Sequence, residues 1–89
     1  MAASRVVVHG DVQGVYFRDA CRKEATAAGV VGWVANRSDG TVEAHFEGDE
    51  SAIEKMRRWC ETGSAQAQVE RVEVTSTNEA GVETFEVRD

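Results

Sequence analysis

Apolar residues recur along this chain with two different periods, and the switches between them divide it into seven segments. Arg5 to His9 is a valine-rich run whose neighbours on both sides are apolar, which predicts a central strand. Phe17, Ala20, Cys21, Glu24, Ala25 and Ala28 then follow i, i+3, i+4 spacing, the signature of a helix with one buried face, and Gly29 supplies its stop. Val30 to Ala35 predicts a second strand. Ser38-Asp39-Gly40 is a hairpin signal, and Thr41 to Glu47 alternates cleanly. Val42, Ala44 and Phe46 share its inner face; Glu43, His45 and Glu47 share the outer one, where His45 is expected to be solvated.

Asp49 or Ser51 can cap a second helix, with Ile53, Met56, Trp59 and Cys60 as its buried stripe and Gly63 closing it. A loop from Gly63 to Gln68 leads to a fourth strand over Val69 to Thr75. There Val72 and Val74 point inward and Glu70 breaks the alternation. Asn78 to Gly81 is a turn, and Phe85 with Val87 marks a short last strand. Strand, helix, strand, strand, helix, strand is the split βαβ order, an α+β ferredoxin-like fold in which an antiparallel sheet carries both helices on one face. The helices then run roughly antiparallel, which brings Cys21 near Cys60, as two small buried hydrophobes or, in an oxidising compartment with Cα atoms within about 7 Å, as a disulfide. Trp33, Trp59 and Phe46 are expected in the core.

The 89 residues, 42% hydrophobic and 29% charged, describe one ordinary globular domain spanning 1–89, with no room for a second. Ten Lys and Arg stand against 16 Asp and Glu, a net charge of −6. Such a surface repels a nucleic-acid backbone. No stretch is long and apolar enough for a membrane span, and the N-terminus lacks the apolar core of a signal peptide, so a cytoplasmic location is expected. Two cysteines out of metal spacing, with His9 and His45 apart from them, give no basis for a metal site. With no long apolar stripe left over, a monomer is expected.

The segment that carries chemistry is Gly10-Asp11-Val12-Gln13-Gly14-Val15-Tyr16-Phe17-Arg18, between the first strand and the first helix. Glycine lets a main chain turn tightly and approach a ligand without a Cβ in the way. The amides of such a loop, joined by the free N–H groups of a helix start, form a concave site for an anion. Arg18 falls in the first helical turn, where the helix dipole disfavours a cation. A bound anion between the guanidinium and the amides resolves that conflict, so Gln13, Gly14, Val15, Tyr16, Phe17 and Arg18 are read as a phosphate cradle. Tyr16 edges the pocket and Phe17 is buried. His9, just before the loop, is read as a strand-end residue and not as a base.

His9 to Arg18 resembles the first signature of the acylphosphatase family, and Gly32-Trp33-Val34-Ala35-Asn36, followed by Gly40-Thr41-Val42 and Gly48, resembles the second. The likeness extends over nearly the whole chain. It implies hydrolysis of the mixed anhydride of a carboxylic and phosphoric acid to carboxylate and phosphate, without a metal or other cofactor. By the same resemblance, the loop amides and Arg18 hold the phosphoryl group and Asn36 orients the attacking water. The chain departs from the family in lacking a proline around Gly63-Ser64-Ala65 and in having Arg37 after Asn36.

The resemblance thus implies a stand-alone hydrolase of small acyl phosphates such as carbamoyl phosphate or 1,3-bisphosphoglycerate, with inorganic phosphate as product and competitive inhibitor. A binding module of the same fold, sensing phosphate or a phosphometabolite without turnover, is the alternative; it would need the loop and Arg18 but not Asn36. A nucleic-acid module is disfavoured by the net charge and by the absence of a basic aromatic strand face. The acyl group itself is not legible from these residues.

Overall fold

A computed structural model describes residues 2–88. Its elements are β1 (Ala2–Asp11), α1 (Phe17–Ala28), β2 (Val31–Asn36), β3 (Val42–Gly48), α2 (Glu50–Thr62), β4 (Gln68–Ser76) and β5 (Phe85–Arg88). The strands lie in the order β4-β1-β3-β2-β5, so the valine-rich β1 is interior, as its composition predicts. The first four strands pair antiparallel, while the short β5 adds to β2 in parallel, Val34 opposite Val87. The antiparallel ferredoxin-like sheet is thereby extended into a mixed one.

The core lies between the sheet and the two helices. Val6 and Val8 of β1, Val34 of β2, and Val42, Ala44 and Phe46 of β3 are fully buried against Phe17, Cys21 and Ala25 of α1 and Met56 and Cys60 of α2. Burying each of the larger side chains contributes about 1.5–3 kcal/mol relative to exposure. Cys21 and Cys60 are both free thiols. A hydrogen bond to Cys60, with burial, pushes the Cys21 thiol well above its usual pKa, which keeps it protonated and inert. Phe46 belongs to the core as expected; Trp59 is half-buried and packs on Phe17 with ring centres 5.1 Å apart.

Two features of β1 and β4 prepare the loop that follows. The pairing shifts register between His9 and Gly10, opposite which Glu70 is the extra residue, and this bulge is why Glu70 falls out of the alternation. At Gly10, with φ +129°, a Cβ would lie 2.2 Å from the carbonyl oxygen of Gln68, so no other residue fits there without moving β4. Val72 and Val74 face the helices opposite Val8 and Val6, yet Val74, on the edge strand, remains 43% exposed. Asp49 occupies the N-cap position of α2 without a side-chain capping bond.

The outer face of the sheet differs from expectation. His45 is buried, not solvated. Trp33, opposite His45 in the register, lies on this outer face and not in the core; the two rings stack 4.2 Å apart at 8°. Arg88 covers the other side of Trp33, 4.4 Å from the ring, within the range of cation–π attraction. Glu47, 2% exposed, bonds to His45 at 2.6 Å and accepts the main-chain N–H of Ala80 at 2.7 Å. The segment between β4 and β5 therefore closes over the end of β3 and dries out two residues that alternation alone assigns to water. Burial pushes the Glu47 carboxyl up, but the Ala80 amide and His45 outweigh it, and its pKa falls below the usual 4.5.

A carboxylate with a depressed folded pKa contributes stability that is present above its unfolded pKa and lost as pH falls through the folded value. Glu47→Ala is expected to cost about 1–3 kcal/mol at neutral pH, the penalty for stranding a buried donor. In thermal denaturation, the native protein's midpoint should fall more steeply than that of Glu47→Gln between about pH 5 and pH 3. Parallel curves would remove Glu47 as the acid-sensitive clasp.

Candidate active site

The loop between β1 and α1 is bent by two left-handed residues, Gly14 at φ 73° and Tyr16 at φ 62°. Glycine takes this conformation freely, whereas Tyr16 is the one non-glycine residue with positive φ among the described residues and costs about 1 kcal/mol or more to hold. Its surroundings hold it. The Ser64 hydroxyl donates to the Val15 carbonyl at 2.6 Å, and the Tyr16 carbonyl accepts from Ala20 as the first turn of α1 forms. The Gln13 side chain crosses to the hairpin between β2 and β3, donating to the Arg37 carbonyl at 2.7 Å and the Thr41 carbonyl at 2.9 Å. The hairpin is itself closed by Asp39, which accepts the Thr41 amide and lies below the usual carboxylate pKa because of bonds from Thr41.

The loop is thus fixed through its carbonyls and side chains. None of the main-chain N–H groups from Gln13 to Phe17 donates a hydrogen bond among the described residues. Consecutive unspent amides at a left-handed bend and a helix start are the elements of an anion site.

A hollow of about 300 Å³ opens against this loop, lined by Val12, Gly14, Tyr16, Phe17, Arg18, Asp19, Asn36 and Val87. Arg18 is half-buried at its side, with Nη1 donating to the Arg88 carbonyl at 3.0 Å. Asn36 enters from the end of β2. Gly32, Val34 and Asn36 alternate onto the helix side of the sheet, so the strand delivers the carboxamide to the same hollow as Arg18. Its Oδ1 is buried with no hydrogen-bond partner among the described residues. A buried acceptor left unpaired costs about 1–3 kcal/mol, and a water in the hollow would satisfy it.

Of the sequence-predicted residues, Gly14, Tyr16, Phe17, Arg18 and Asn36 come together here. The side chains of Gln13 and Val15 do not: Gln13 is spent on the hairpin and Val15 packs against the core, which leaves their amides as the groups that could serve. Tyr16 stands at the rim, 70% exposed, and Phe17 is buried, both as expected. His9 lies on the outer face, paired with Glu73 and near Arg71, away from the hollow. Composition and spacing did not mark Ser64, Val12, Val87 or Asp19 as site residues, although Val12 lies inside the loop segment and Asp19 is adjacent to Arg18. Among the described residues no cluster of His, Cys, Asp or Glu is suited to a metal ion.

The fold is of the ferredoxin-like class, with a hollow at the β1–α1 junction bordered by undonated amides, a guanidinium and a carboxamide. The chain belongs to the acylphosphatase family, whose model matches residues 4–87. It is similar to an acylphosphatase of Pelotomaculum thermopropionicum, 55% identical over 73 residues, covering 82% of this chain and 79% of the other. It is also similar to one of Haloquadratum walsbyi, 47% identical over 85 residues, covering 96% and 91%. The crystal structure of acylphosphatase from Bacillus subtilis superposes with a TM-score of 0.96 at 36% identity over the full length of both chains.

Each anchor of the loop is open to test. Gln13→Ala and Ser64→Ala should each cost about 1 kcal/mol, a typical net hydrogen-bond contribution. Both should speed amide hydrogen exchange over residues 12–17 relative to the rest of the chain. Exchange in that segment unchanged from the native protein would mean that the bend holds itself.

Proposed function

We propose that this protein hydrolyses acyl phosphates to carboxylate and inorganic phosphate, using the loop amides and Arg18 to hold the phosphoryl group and Asn36 to hold water. The observation that carries this reading is the convergence of Arg18 and the unpartnered Asn36 Oδ1 on one hollow beside undonated loop amides. Phosphoryl transfer asks a protein mainly for positioning and charge stabilisation. A guanidinium grips two phosphate oxygens with a geometry that lysine lacks. The amides from Gln13 to Phe17, together with that of Arg18, would meet the remaining oxygens with little reorganisation.

In the reaction the water oxygen attacks phosphorus while the bond from phosphorus to the carboxyl oxygen breaks, and the carboxylate leaves with the electron pair. That leaving group has a low pKa and needs no proton. Asn36 Oδ1 accepts a hydrogen bond from the water, and the water's proton passes to a phosphate oxygen of the substrate. His9, on the opposite face of the sheet, has no part in the sequence of steps.

The same chemistry makes inorganic phosphate a competitive inhibitor and a metal dispensable. We place the protein in the cytoplasm as a monomer built on one domain. No helix among the described residues is long and apolar enough to cross a membrane. A non-catalytic phosphate sensor would leave the placement of Asn36 unexplained.

Hydrolysis of benzoyl phosphate in the presence of a chelator tests the activity directly. Arg18→Ala should lower turnover at least about 10³-fold, as for other arginine clamps on phosphoryl groups, while circular dichroism stays native. Near-normal turnover in that variant would dismiss the clamp. Asn36→Ala should lower kcat by about 10²-fold or more, the scale for losing one positioned polar group, yet change the inhibition constant for phosphate little. Equal losses in the two quantities would contradict a water-holding role.

A further inference from the structure

We infer that Asp19 makes this site selective against acyl phosphates whose acyl group carries negative charge, favouring neutral or cationic acyl groups. The inference rests on the proposed hydrolysis and extends it to the half of the substrate that the phosphate cradle does not read. In-line displacement puts attacking water and leaving carboxylate on opposite sides of phosphorus. Asn36 Oδ1, the group proposed to hold the water, is buried in the floor of the hollow. The acyl group must then project the other way, toward the mouth.

What stands at the mouth is Tyr16, 70% exposed, and the exposed Asp19 in the first turn of α1. The side chains lining the hollow include one cation, Arg18, which belongs to the phosphoryl side, and one carboxylate, Asp19; the others, apart from Tyr16 and Asn36, are apolar or glycine. Asp19 enters no ion pair or hydrogen bond among the described residues, and the cations that follow it one turn later on α1, Arg22 and Lys23, do not line the hollow. Arg37, the nearest cation in sequence to Asn36, is turned toward Asp39, and Arg88 lies over Trp33 on the opposite face.

A carboxylate at this point of a helix also complements the dipole, a role it would have in any protein. That role predicts no discrimination between acyl groups. The repulsion Asp19 exerts on the phosphoryl group is common to all substrates and cancels when two of them are compared. What remains is its effect on the acyl end. Across about 7 Å of partly screened solvent, a charge on the acyl group would change kcat/KM by about threefold to tenfold, fading as salt rises.

The test compares benzoyl phosphate with its 4-carboxy and 4-trimethylammonio derivatives, each rate divided by the spontaneous hydrolysis rate of the same ester. In the native protein at low salt, the carboxy derivative should fall about threefold to tenfold below benzoyl phosphate, and the trimethylammonio derivative should rise above it. In Asp19→Asn both ratios should return to within about twofold of unity, whatever the variant's overall rate. Ratios near unity in the native protein, or ratios that persist in Asp19→Asn, overturn the inference; persistence would assign the preference to the protein's overall charge of −6. Failure to hydrolyse any of the three esters overturns the activity itself, and the inference with it.

Discussion

The site depends on a main chain held in shape by everything except its own amides. Between β1 and α1 the backbone turns through two left-handed residues, and the bonds that steady it come from Ser64, from Gln13 reaching to the hairpin, and from the first helical turn. Had the loop been closed by its own N–H groups, it would be as rigid but chemically empty. Anchoring through carbonyls and side chains instead leaves the amides from Gln13 to Phe17 undonated beside the hollow, and donors fixed in advance need no reorganisation to meet an oxyanion. The rest of the fold supplies the matching pieces: β2 delivers Asn36, α1 delivers Arg18, and β5 supplies both Val87 in the wall and the carbonyl that seats Arg18.

The charge distribution sets the surroundings of that arrangement. On a chain with a net charge of −6, a phosphate group meets repulsion at most approaches. Most arginines are paired off locally: Arg5 with Glu43, Arg57 with Glu54, Arg71 with Glu73, Arg88 with Glu86. Arg18 also donates to a main-chain carbonyl, that of Arg88, which fixes the guanidinium beside the hollow.

Much of this was legible in the sequence, for reasons that differ by residue. The face of Asn36 follows from simple alternation with Gly32 and Val34, and α1 from the spacing of Phe17, Cys21 and Ala25. Even the misfit of Glu70 was a true signal, of a bulge opposite Gly10. His45 and Trp33 depart from expectation because alternation says which face a residue takes, not what later covers that face, and a large apolar ring can be covered on the outer face as well as in the core. The cover comes from the segment around Ala80, which has no periodicity and betrays itself only through a bond to Glu47. Gln13 was legible as part of the loop, but nothing local says that its carboxamide spans to Arg37 and Thr41, more than twenty positions away. Long-range polar contacts of this kind leave no mark on hydrophobic pattern.

The parallel strand β5 has a practical corollary. Because Arg88 hands its carbonyl to Arg18, any polypeptide joined after the last strand departs from beside the hollow. Ala2 begins β1 at the end remote from the loop, about 30 Å away along an extended strand. Affinity handles, fluorophores and surface tethers therefore belong on the leading end of the chain, where they leave the mouth of the hollow unobstructed.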